Sequence, residues 1–428
     1  MISELKIRNF KSLESVDLKL GHFNLLVGAN ASGKSNFLDA LRFLQGAGNG
    51  FTLDEILDGK PPSPTSVKWD GIRGSSGYIA FRRRDGSVAE SVELEGCIRE
   101  TNLYEIKREN VSYRFKFEPG TSKFEQWFGP SECAWHNNEK ILHDYKLVLS
   151  NFSYDKVFSK GLVATFDSTA REYSRLLKER DPSLTAQEVE SRDHLSPELF
   201  KLSPEAIYAA HILDALPNMQ FLDPLPAELR TYSSKAARLG ENGEGFAALI
   251  HEIESNGSKP PLLEWLKELR PDEVSDLYAI PGAVNDYMAA IKEGYIEFPA
   301  PLISDGTLRF IALAAAFFQP SMPKVLIIEE IEKGLHPSRL RLLLELMRSQ
   351  SKRTGTQVFA TTHSPTLLAW LTEEDRKTTF VCTRDTESGA TKMRSLAEVP
   401  RLEELVKEHY NLDELFEQGW IESVLHES

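Results

Sequence analysis

A glycine-rich segment near the start of this 428-residue chain, GANASGKSNF at residues 28–37, constrains the fold most strongly. It follows the apolar run FNLLV and precedes LDALRFLQ, whose apolar residues recur at helical spacing. Gly28, Gly33, Lys34 and Ser35 match the pattern GxxxxGKS/T, which a chain of this length meets by chance about once or twice in a hundred. The sequence therefore predicts a strand, a phosphate-binding loop and a helix in that order.

The chemistry of phosphate binding accounts for the residue types of this loop. Glycine lets backbone N–H groups converge on phosphate oxygens, and the helix N-terminus adds a partial positive charge. Lys34 is expected to reach the β- and γ-phosphates and to act in catalysis, and Ser35 is expected to bind Mg²⁺. An ordinary turn with an N-cap is the structural alternative. The residues expected to contact nucleotide are Gly28, Ala29, Asn30, Ala31, Ser32, Gly33, Lys34, Ser35 and Asn36.

Two adjacent carboxylates follow an apolar run in the last third of the chain. KVLIIEE leads from Val325–Ile328 into Glu329 and Glu330, at the end of a predicted strand where open α/β sheets bind ligands. The usual first acid is an Asp in the magnesium shell, and the second is a Glu that polarises the attacking water. Glu329 is longer than Asp, so it is expected to contact the metal through water, and Glu330 is the candidate general base. Helix capping or plain solvation of both acids is the alternative.

Two further segments could complete a nucleotide site. LISDGTLRF places Ser304, Asp305 and Gly306 just before a strongly apolar helix, where an anion site and a simple N-cap are both possible. The strand QVFATTHSP ends at His363, where a neutral imidazole could contact a γ-phosphate, although a lone histidine there is usually incidental. Neither segment identifies a nucleotide site without the phosphate-binding loop.

The charge and the hydropathy pattern narrow the classes of protein that fit. The formal net charge of −14 disfavours DNA binding over the whole surface but allows a local basic groove. The densest basic run, FRRRDG at 81–86, is typical of a strand entering a tight turn. The start lacks a signal-peptide pattern and the longest apolar stretch, FIALAAAFF, is too short to span a bilayer, so a cytoplasmic protein without a membrane partner is predicted.

The cysteines bear on the cellular compartment, and the order of strand and helix patterns bears on the fold. Cys97, Cys133 and Cys382 form no CxxC pair, which indicates buried thiols in a reducing compartment. Strand patterns such as SGYIAFRRR, SYRFKFEPG and YKLVLSNF fill residues 66–152 and predict an antiparallel sheet, whereas 168–215 has a charged helical pattern. GEGFAALIHEIES and PPLLEWLKEL predict two helices before the last third of the chain. The last third alternates apolar strands with helices, among them TLLAWL, which is typical of a parallel sheet buried on both faces.

The segments GANASGKS, ISDGT, LIIEEIEKGLHP and TTHSP, in this order, resemble ABC-type ATPases of the RecF, Rad-type and structural-maintenance-of-chromosomes (SMC) class. The chain looks more closely like compact bacterial ATPases of the AAA family, in which SDGTLRF is followed by EExExGLHP. The resemblance covers both ends of the chain and is poor over about 90–215. It implies an α/β fold: the ABC-type head of P-loop NTPases, with a mainly parallel core sheet, an N-terminal antiparallel β subdomain and a helical insertion.

The resemblance also implies how the motifs are used. In this superfamily two heads sandwich two ATP molecules, each held by the Walker A loop of one head and the signature of the other. ATP and Mg²⁺ would be the cofactors, and the protein would be a homodimer. Ser304 and Gly306, with Asp305 between them, would contact ATP bound to the partner subunit. Residues 331–337 would form a D-loop that crosses the dimer, and His363 would be the switch histidine.

Of two further N-terminal features of the family, the sequence matches one and lacks an identifiable counterpart of the other. Lys11 and Ser12 in RNFKSL match the segment that lies near the nucleotide. The Q-loop glutamine is not identified, since Gln45 is too close to the Walker A helix.

The predicted division of the chain is an N-terminal ATPase lobe at 1–167, a helical insertion at 168–215 that offers a partner surface, and a C-terminal ATPase lobe at 216–428.

Three departures from the family narrow the predicted function. The chain has no arm-length heptads, no transporter segment and no acidic pattern of a fused Toprim nuclease after TTHSP. The favoured interpretation is an ATPase whose nucleotide-driven dimerisation regulates or loads a separate effector, a nuclease or toxin, in DNA maintenance or defence against foreign DNA. The alternative is an ATP-bound scaffold that hydrolyses almost nothing and holds a nuclease or toxin inactive.

Overall fold

A computed structural model describes residues 1–62, 68–99, 110–121, 123–130, 216, 218–234, 236–269, 274–408 and 410–427. The chain forms two compact units: the first contains Met1, Leu18–Ser35 and Asn218–Ser428, and the second contains Ile2–Asp17 and Asn36–Pro217. The helical insertion predicted at 168–215, the strand pattern YKLVLSNF and Cys133 lie outside the described residues. The three-part division of the chain stays a prediction.

The strands and helices are numbered in chain order. The strands are β1 (Ile2–Phe10), β2 (Leu13–Lys19), β3 (Phe23–Val27), β4 (Val92–Arg99), β5 (Asn110–Phe117), β6 (Phe124–Pro130), β7 (Met219–Leu222), β8 (Asp276–Pro281), β9 (Tyr287–Glu293), β10 (Ile296–Pro299), β11 (Val325–Ile328), β12 (Gln357–Thr362), β13 (Thr379–Arg384) and β14 (Thr391–Ser395). The helices are α1 (Lys34–Gly48), α2 (Leu53–Asp58), α3 (Pro226–Leu229), α4 (Phe246–Ser255), α5 (Lys259–Leu269), α6 (Asp305–Ala315), α7 (Pro337–Thr354), α8 (Glu373–Lys377), α9 (Leu402–Lys407), α10 (Leu412–Glu417) and α11 (Trp420–Glu427).

A six-stranded sheet in the order β14-β13-β3-β12-β11-β7 forms the centre of the first unit. All pairs are parallel except β13 with β14. Every residue of β3, β7, β11 and β12 is buried, as expected for strands covered on both faces. This sheet confirms the predicted mainly parallel core.

The parallel register decides which residues share an edge of this sheet. Ile328 at the end of β11 pairs with Leu222 at the end of β7 and with Ala360 of β12, and Thr362 pairs with Val27 of β3. The segments that follow these four strands therefore leave the sheet at the same edge. They carry the phosphate-binding loop, the two carboxylates and the histidine that the sequence singled out.

A smaller sheet of the first unit was not foreseen from the sequence. Strands β8, β9 and β10 form an antiparallel sheet in the order β10-β9-β8, on which α4 packs. Their segments are short and do not alternate cleanly between polar and apolar residues. The helical patterns at α4 and α5 were predicted correctly. TLLAWL, interpreted as a helix, forms 3-10 turns at Pro365–Trp370.

The second unit contains a five-stranded antiparallel sheet, β2-β1-β4-β5-β6. Its core includes Phe43 of α1, whose ring stacks on that of Phe117 with 5.3 Å between centroids. The N-terminal antiparallel sheet was predicted. The strand assigned to SGYIAFRRR was wrong, because that segment forms a 3-10 turn at Ser76–Tyr78 and isolated bridges. A tight turn at Gly86 (φ +85°) does follow FRRR as expected.

A candidate nucleotide-binding site

The loop between β3 and α1 is held in a conformation that requires its glycines. A Cβ atom on Gly28 would overlap the carbonyl oxygen of Cys382 on β13. Gly33 has φ +105°, and a Cβ there would overlap the side chain of Thr391 on β14. The Thr391 hydroxyl also donates to the carbonyl oxygen of Ser32 at 2.9 Å. Strands β13 and β14 therefore pack against the loop and hold its conformation.

The ammonium group of Lys34 lies over this loop. Nζ donates to the carbonyl oxygens of Gly28 at 2.6 Å and Ala29 at 2.9 Å. Burial lowers the pKa of Lys34, and the negative charges of the carboxylates that follow β11 oppose that shift. A partly desolvated cation at this position is suited to bind an anionic ligand.

Polar atoms around the loop fit a phosphate group and a magnesium ion. The buried hydroxyl of Ser32 has no hydrogen-bond partner among the residues that the structure describes, so it can donate to a ligand. Ser35 Oγ donates to Glu329 Oε1 at 2.8 Å, which brings together the two predicted magnesium ligands. In the described part of the chain, no cluster of three or more His, Cys, Asp or Glu residues could hold a metal ion. Mg²⁺ typically uses one or two carboxylates together with substrate phosphates.

Cys382, behind the loop, is a buried thiol as predicted, and so is Cys97 in the second unit. Burial raises the pKa of Cys382 to about 12. The backbone carbonyl of Cys382 lies against Gly28 of the loop, and a buried thiol with a raised pKa is a poor nucleophile.

Glu330, the candidate general base, has an unusual backbone. Its φ of +49° lies in the left-handed region, which is rare for residues other than glycine. Its N–H donates to Thr361 Oγ1 at 2.9 Å, and its carbonyl oxygen accepts from Arg309 Nη2 at 3.2 Å. Strained backbone of this kind clusters at functional sites, where the surrounding structure holds it in place.

Arg309 and Asp223 also belong to this region, although no role was predicted for either residue. Arg309 of α6 is only 2% exposed, and its Nη1 donates to Asp223 Oδ1 at 2.8 Å and to the Pro224 carbonyl oxygen at 2.7 Å. Burial raises the pKa of Asp223, but hydrogen bonds from Lys333 and Arg309 outweigh this effect, so the net shift is downward. An arginine within a strongly apolar helix was the sequence signal that could have revealed this pair.

Local packing explains the signature segment at the start of α6. The Ser304 side chain caps the helix by accepting the backbone N–H of the third residue that follows. Asp305 forms an ion pair with Arg230 at 2.5 Å. A Cβ on Gly306 would overlap the carbonyl oxygen of Gly334 in the predicted D-loop. Ser304 and Asp305 are exposed, so their contact with ATP of a second subunit stays a prediction.

His363 is held by Glu332, which lies in the segment predicted to form the D-loop. One carboxylate oxygen of Glu332 lies 2.7 Å from both the backbone nitrogen and Nδ1 of His363. Because a carboxylate only accepts, Nδ1 carries the hydrogen, and in the neutral ring Nε2 has the lone pair. Nε2 of a neutral His363 therefore accepts a hydrogen, for example from water, and only the protonated ring donates to a phosphate. A contact between His363 and a γ-phosphate stays a prediction.

We expect Glu332→Ala to change the tautomer of His363. Nitrogen-15 spectra at a pH where the ring is neutral should show the hydrogen on Nδ1 in the native protein and on Nε2 in the variant, since Nε2–H is the intrinsic preference of imidazole. His363→Ala identifies the signal among the ten histidines. Glu332→Gln, which keeps an oxygen acceptor, should retain the native tautomer. Identical spectra for all three Glu332 forms would contradict this assignment.

The N-terminal pair Lys11 and Ser12 lies in the second unit. Lys11 forms a largely buried ion pair with Asp39 of α1 at 2.5 Å, and Asp39 also accepts from Arg73 Nε at 3.0 Å. Ser12 Oγ accepts from the side chain of Asn36 at 2.6 Å. These contacts support the start of α1. A direct contact of Lys11 or Ser12 with nucleotide stays a prediction.

The fold and these motifs define a P-loop ATPase of the RecF and SMC type. A family model described as "AAA domain, putative AbiEii toxin, Type IV TA system" matches residues 23–369, and the chain belongs to this family. In the part of the chain that the structure covers, no helix is both long enough and apolar enough to cross a membrane.

Known proteins resemble the chain to different extents. It is 22% identical over 401 residues to the ATP/GTP phosphatase of Helicobacter pylori, a match that covers 89% of this chain and 90% of that protein. A stretch of 51 residues is 49% identical to the DNA replication and repair protein RecF of Glaesserella parasuis. This match covers 12% of this chain and 14% of RecF. The crystal structure of an SMC head bound to the C-winged helix domain of ScpA superposes with a TM-score of 0.52 at 14% identity, covering 95% and 99% of the two chains. This last likeness shows the fold.

Proposed function

We propose that this ATPase hydrolyses ATP at a site completed by a second copy of the chain, and that the resulting dimer regulates or loads a separate effector protein. The observation that carries the proposal is the hydrogen bond from Ser35 to Glu329 at 2.8 Å, because it joins the phosphate-binding loop to the carboxylates at the end of β11. Lys34, Ser35, Glu329 and Glu330 thereby lie at one edge of the sheet.

Each of these residues has a defined task in hydrolysis. The loop N–H groups, Ser32 and Lys34 bind the phosphates and offset their charge. Ser35 and Glu329 would hold Mg²⁺, which supplies further positive charge at the β- and γ-phosphates. Glu330 orients the attacking water and accepts its proton. Nε2 of His363, set by Glu332, contacts the same water or, when protonated, a phosphate oxygen.

Dimerisation through ATP is supported by the exposed start of α6. Ser304 and Asp305 present a helix N-terminus with its positive dipole to solvent, which suits the phosphates of a nucleotide bound to another copy. Gly306 keeps this start in contact with Gly334, so the signature and the D-loop present one continuous surface.

The identity of the effector rests on the names of similar proteins. The family description mentions a putative AbiEii toxin and a type IV toxin–antitoxin system, and RecF is a DNA replication and repair protein. The SMC head in the similar crystal structure is bound to a winged-helix domain. We therefore propose a nuclease or toxin partner and a role in DNA maintenance or defence against foreign DNA. With a charge of −14, DNA contact would be confined to a local surface.

A nearly non-hydrolysing scaffold is the second candidate function. The observation in its favour is Glu329, which replaces the usual Asp at the first acid position. Such a scaffold would bind ATP and hold a nuclease or toxin inactive without turnover. Steady-state release of phosphate by the purified protein, alone and with DNA, separates the two candidates.

Light scattering tests the dimer directly. With Mg²⁺ and a non-hydrolysable ATP analogue, the native protein should have the molar mass of two chains, and Ser304→Arg should stay monomeric because its long side chain blocks the signature surface. Ser423→Arg places the same residue on the exposed side of α11 and should dimerise normally. A monomer in the presence of the analogue, or a dimer indifferent to both the analogue and Ser304, would eliminate the shared site.

A further inference from the structure

The backbone of Glu330 is held on both sides by side chains from other elements. We infer that Thr361 and Arg309 are positioning residues that fix Glu330 for catalysis, and that Arg309 links Glu330 to the signature helix α6. This inference rests on the proposed role of Glu330 as the general base. Thr361 and Arg309 act through Glu330. In the proposed mechanism, neither the Thr361 hydroxyl nor the Arg309 guanidinium contacts the nucleotide.

The conformation of Glu330 needs external support. A left-handed backbone is unfavourable at a residue with a Cβ, because the Cβ lies too close to the neighbouring carbonyl oxygen. Thr361 Oγ1 accepts the Glu330 N–H at 2.9 Å, and the Thr361 carbonyl oxygen accepts the N–H of Ile331 at 3.0 Å. Immediately before Glu330, the N–H of Glu329 donates to the Leu222 carbonyl oxygen at 3.1 Å. Strands β12 and β7 therefore anchor the chain on either side of the strained residue.

Arg309 supplies the remaining support from α6. Its Nη2 donates to the carbonyl oxygens of both Glu329 and Glu330 at 3.2 Å, while Nη1 donates to Asp223. A buried guanidinium is costly unless its charge is paired, and Asp223 supplies the opposite charge. The planar fork of arginine can bind the carboxylate and the two carbonyl oxygens at once, whereas lysine cannot.

This arrangement gives the signature helix a mechanical connection to the base. Ser304 caps α6 at the surface, and Arg309 lies more than one turn further along the same helix, where it contacts the Glu330 carbonyl oxygen. A shift of α6 when a second copy binds would move the guanidinium and, with it, the backbone of Glu330. Hydrolysis would then depend on dimerisation even though Glu330 belongs to the subunit that binds the phosphates.

Thr361→Val tests the inference with the smallest change. Valine keeps the shape and β-branching of threonine but cannot accept the Glu330 N–H. We expect kcat to fall at least about tenfold, since small misplacements of catalytic groups are costly, with the dissociation constant for ATP changed less than about twofold. Thr361→Ser keeps the hydroxyl and should restore most of the rate. Arg309→Lys should also lower kcat and leave ATP affinity unchanged.

Thr356→Val is the matched control for stability. Thr356 is also buried, one residue before β12, and its hydroxyl donates to the Pro323 carbonyl oxygen at 2.8 Å. The variant should lower the melting temperature about as much as Thr361→Val without lowering kcat. A parallel loss of kcat in both variants would show that Thr361 acts only through stability, and would overturn the inference.

A double-mutant cycle separates this inference from the proposed role of Glu330. If Thr361 acts through Glu330, Thr361→Val should slow the native protein but have no further effect on Glu330→Gln. Equal losses in both backgrounds would reject the positioning role and leave the general base in place. A Glu330→Gln variant that hydrolyses ATP at the native rate would instead reject Glu330 as the base.

Discussion

Glu330→Gln is expected to slow ATP hydrolysis about a hundredfold or more, because a positioned general base typically contributes a factor of 10²–10⁴. Glutamine retains the shape of the side chain and the backbone contacts to Thr361 and Arg309, but it cannot accept a proton from water. ATP affinity should stay close to that of the native protein. Phosphate release under single-turnover conditions measures the rate, and a calorimetric titration measures the affinity.

The same variant should accumulate as a dimer in ATP and Mg²⁺. Unhydrolysed ATP adds contacts that exist only when two heads are together, and binding of this kind shifts the equilibrium towards the bound state. Light scattering should give the mass of two chains, and adding Ser304→Arg should return it to one. Glu345→Gln, a half-exposed glutamate of α7 paired with Arg341, is the control and should hydrolyse ATP normally. A rate in Glu330→Gln near the native value would contradict the assignment.

Lys34→Ala is expected to weaken ATP binding by about a hundredfold or more. Removing one member of a buried, hydrogen-bonded charge pair costs about 2–5 kcal/mol, and each 1.4 kcal/mol corresponds to a factor of ten. Stability should change little, because burial already lowers the pKa of Lys34 and its charged form gains little from folding. The residue is the first of α1 and only 8% exposed.

Calorimetric titration of ATP into Lys34→Ala measures this loss. Lys352→Ala removes an exposed lysine near the end of α7 and should bind ATP as the native protein does. Thermal melting of both variants separates loss of binding from loss of fold. An unchanged dissociation constant in a folded Lys34→Ala would refute its role at the phosphates.

Local patterns explain which parts of the fold could be predicted from the sequence. The glycines of the loop and the apolar run before Glu329 are short-range signals, and both gave the correct element and the correct edge of the sheet. Strands β8, β9 and β10 were missed because their polar and apolar residues do not alternate clearly. The segment SGYIAFRRR was assigned as a strand because its apolar run YIAF lies between turn residues, but it forms only isolated bridges.

The parts of the site that the sequence did not reveal depend on contacts between distant segments. Arg309 lies 86 residues from Asp223, and Glu332 lies 31 residues from His363. Neither spacing has a periodicity that could be recognised, because each pair forms only when separate elements are assembled on the sheet. An isolated charge in an apolar helix and a third glutamate after β11 were visible in the sequence. Only the tertiary structure supplies their partners.

The position of β3 in its sheet has a consequence for biosynthesis. β3 occupies residues 23–27, but its neighbours β12 and β13 begin at residues 357 and 379. A chain emerging from the ribosome therefore carries its phosphate-binding loop on an unpaired strand until more than three hundred residues have followed. Such long-range pairing slows folding and prolongs exposure of apolar segments. ATP binding is therefore a property that the chain acquires only after β12 and β13 have been synthesised.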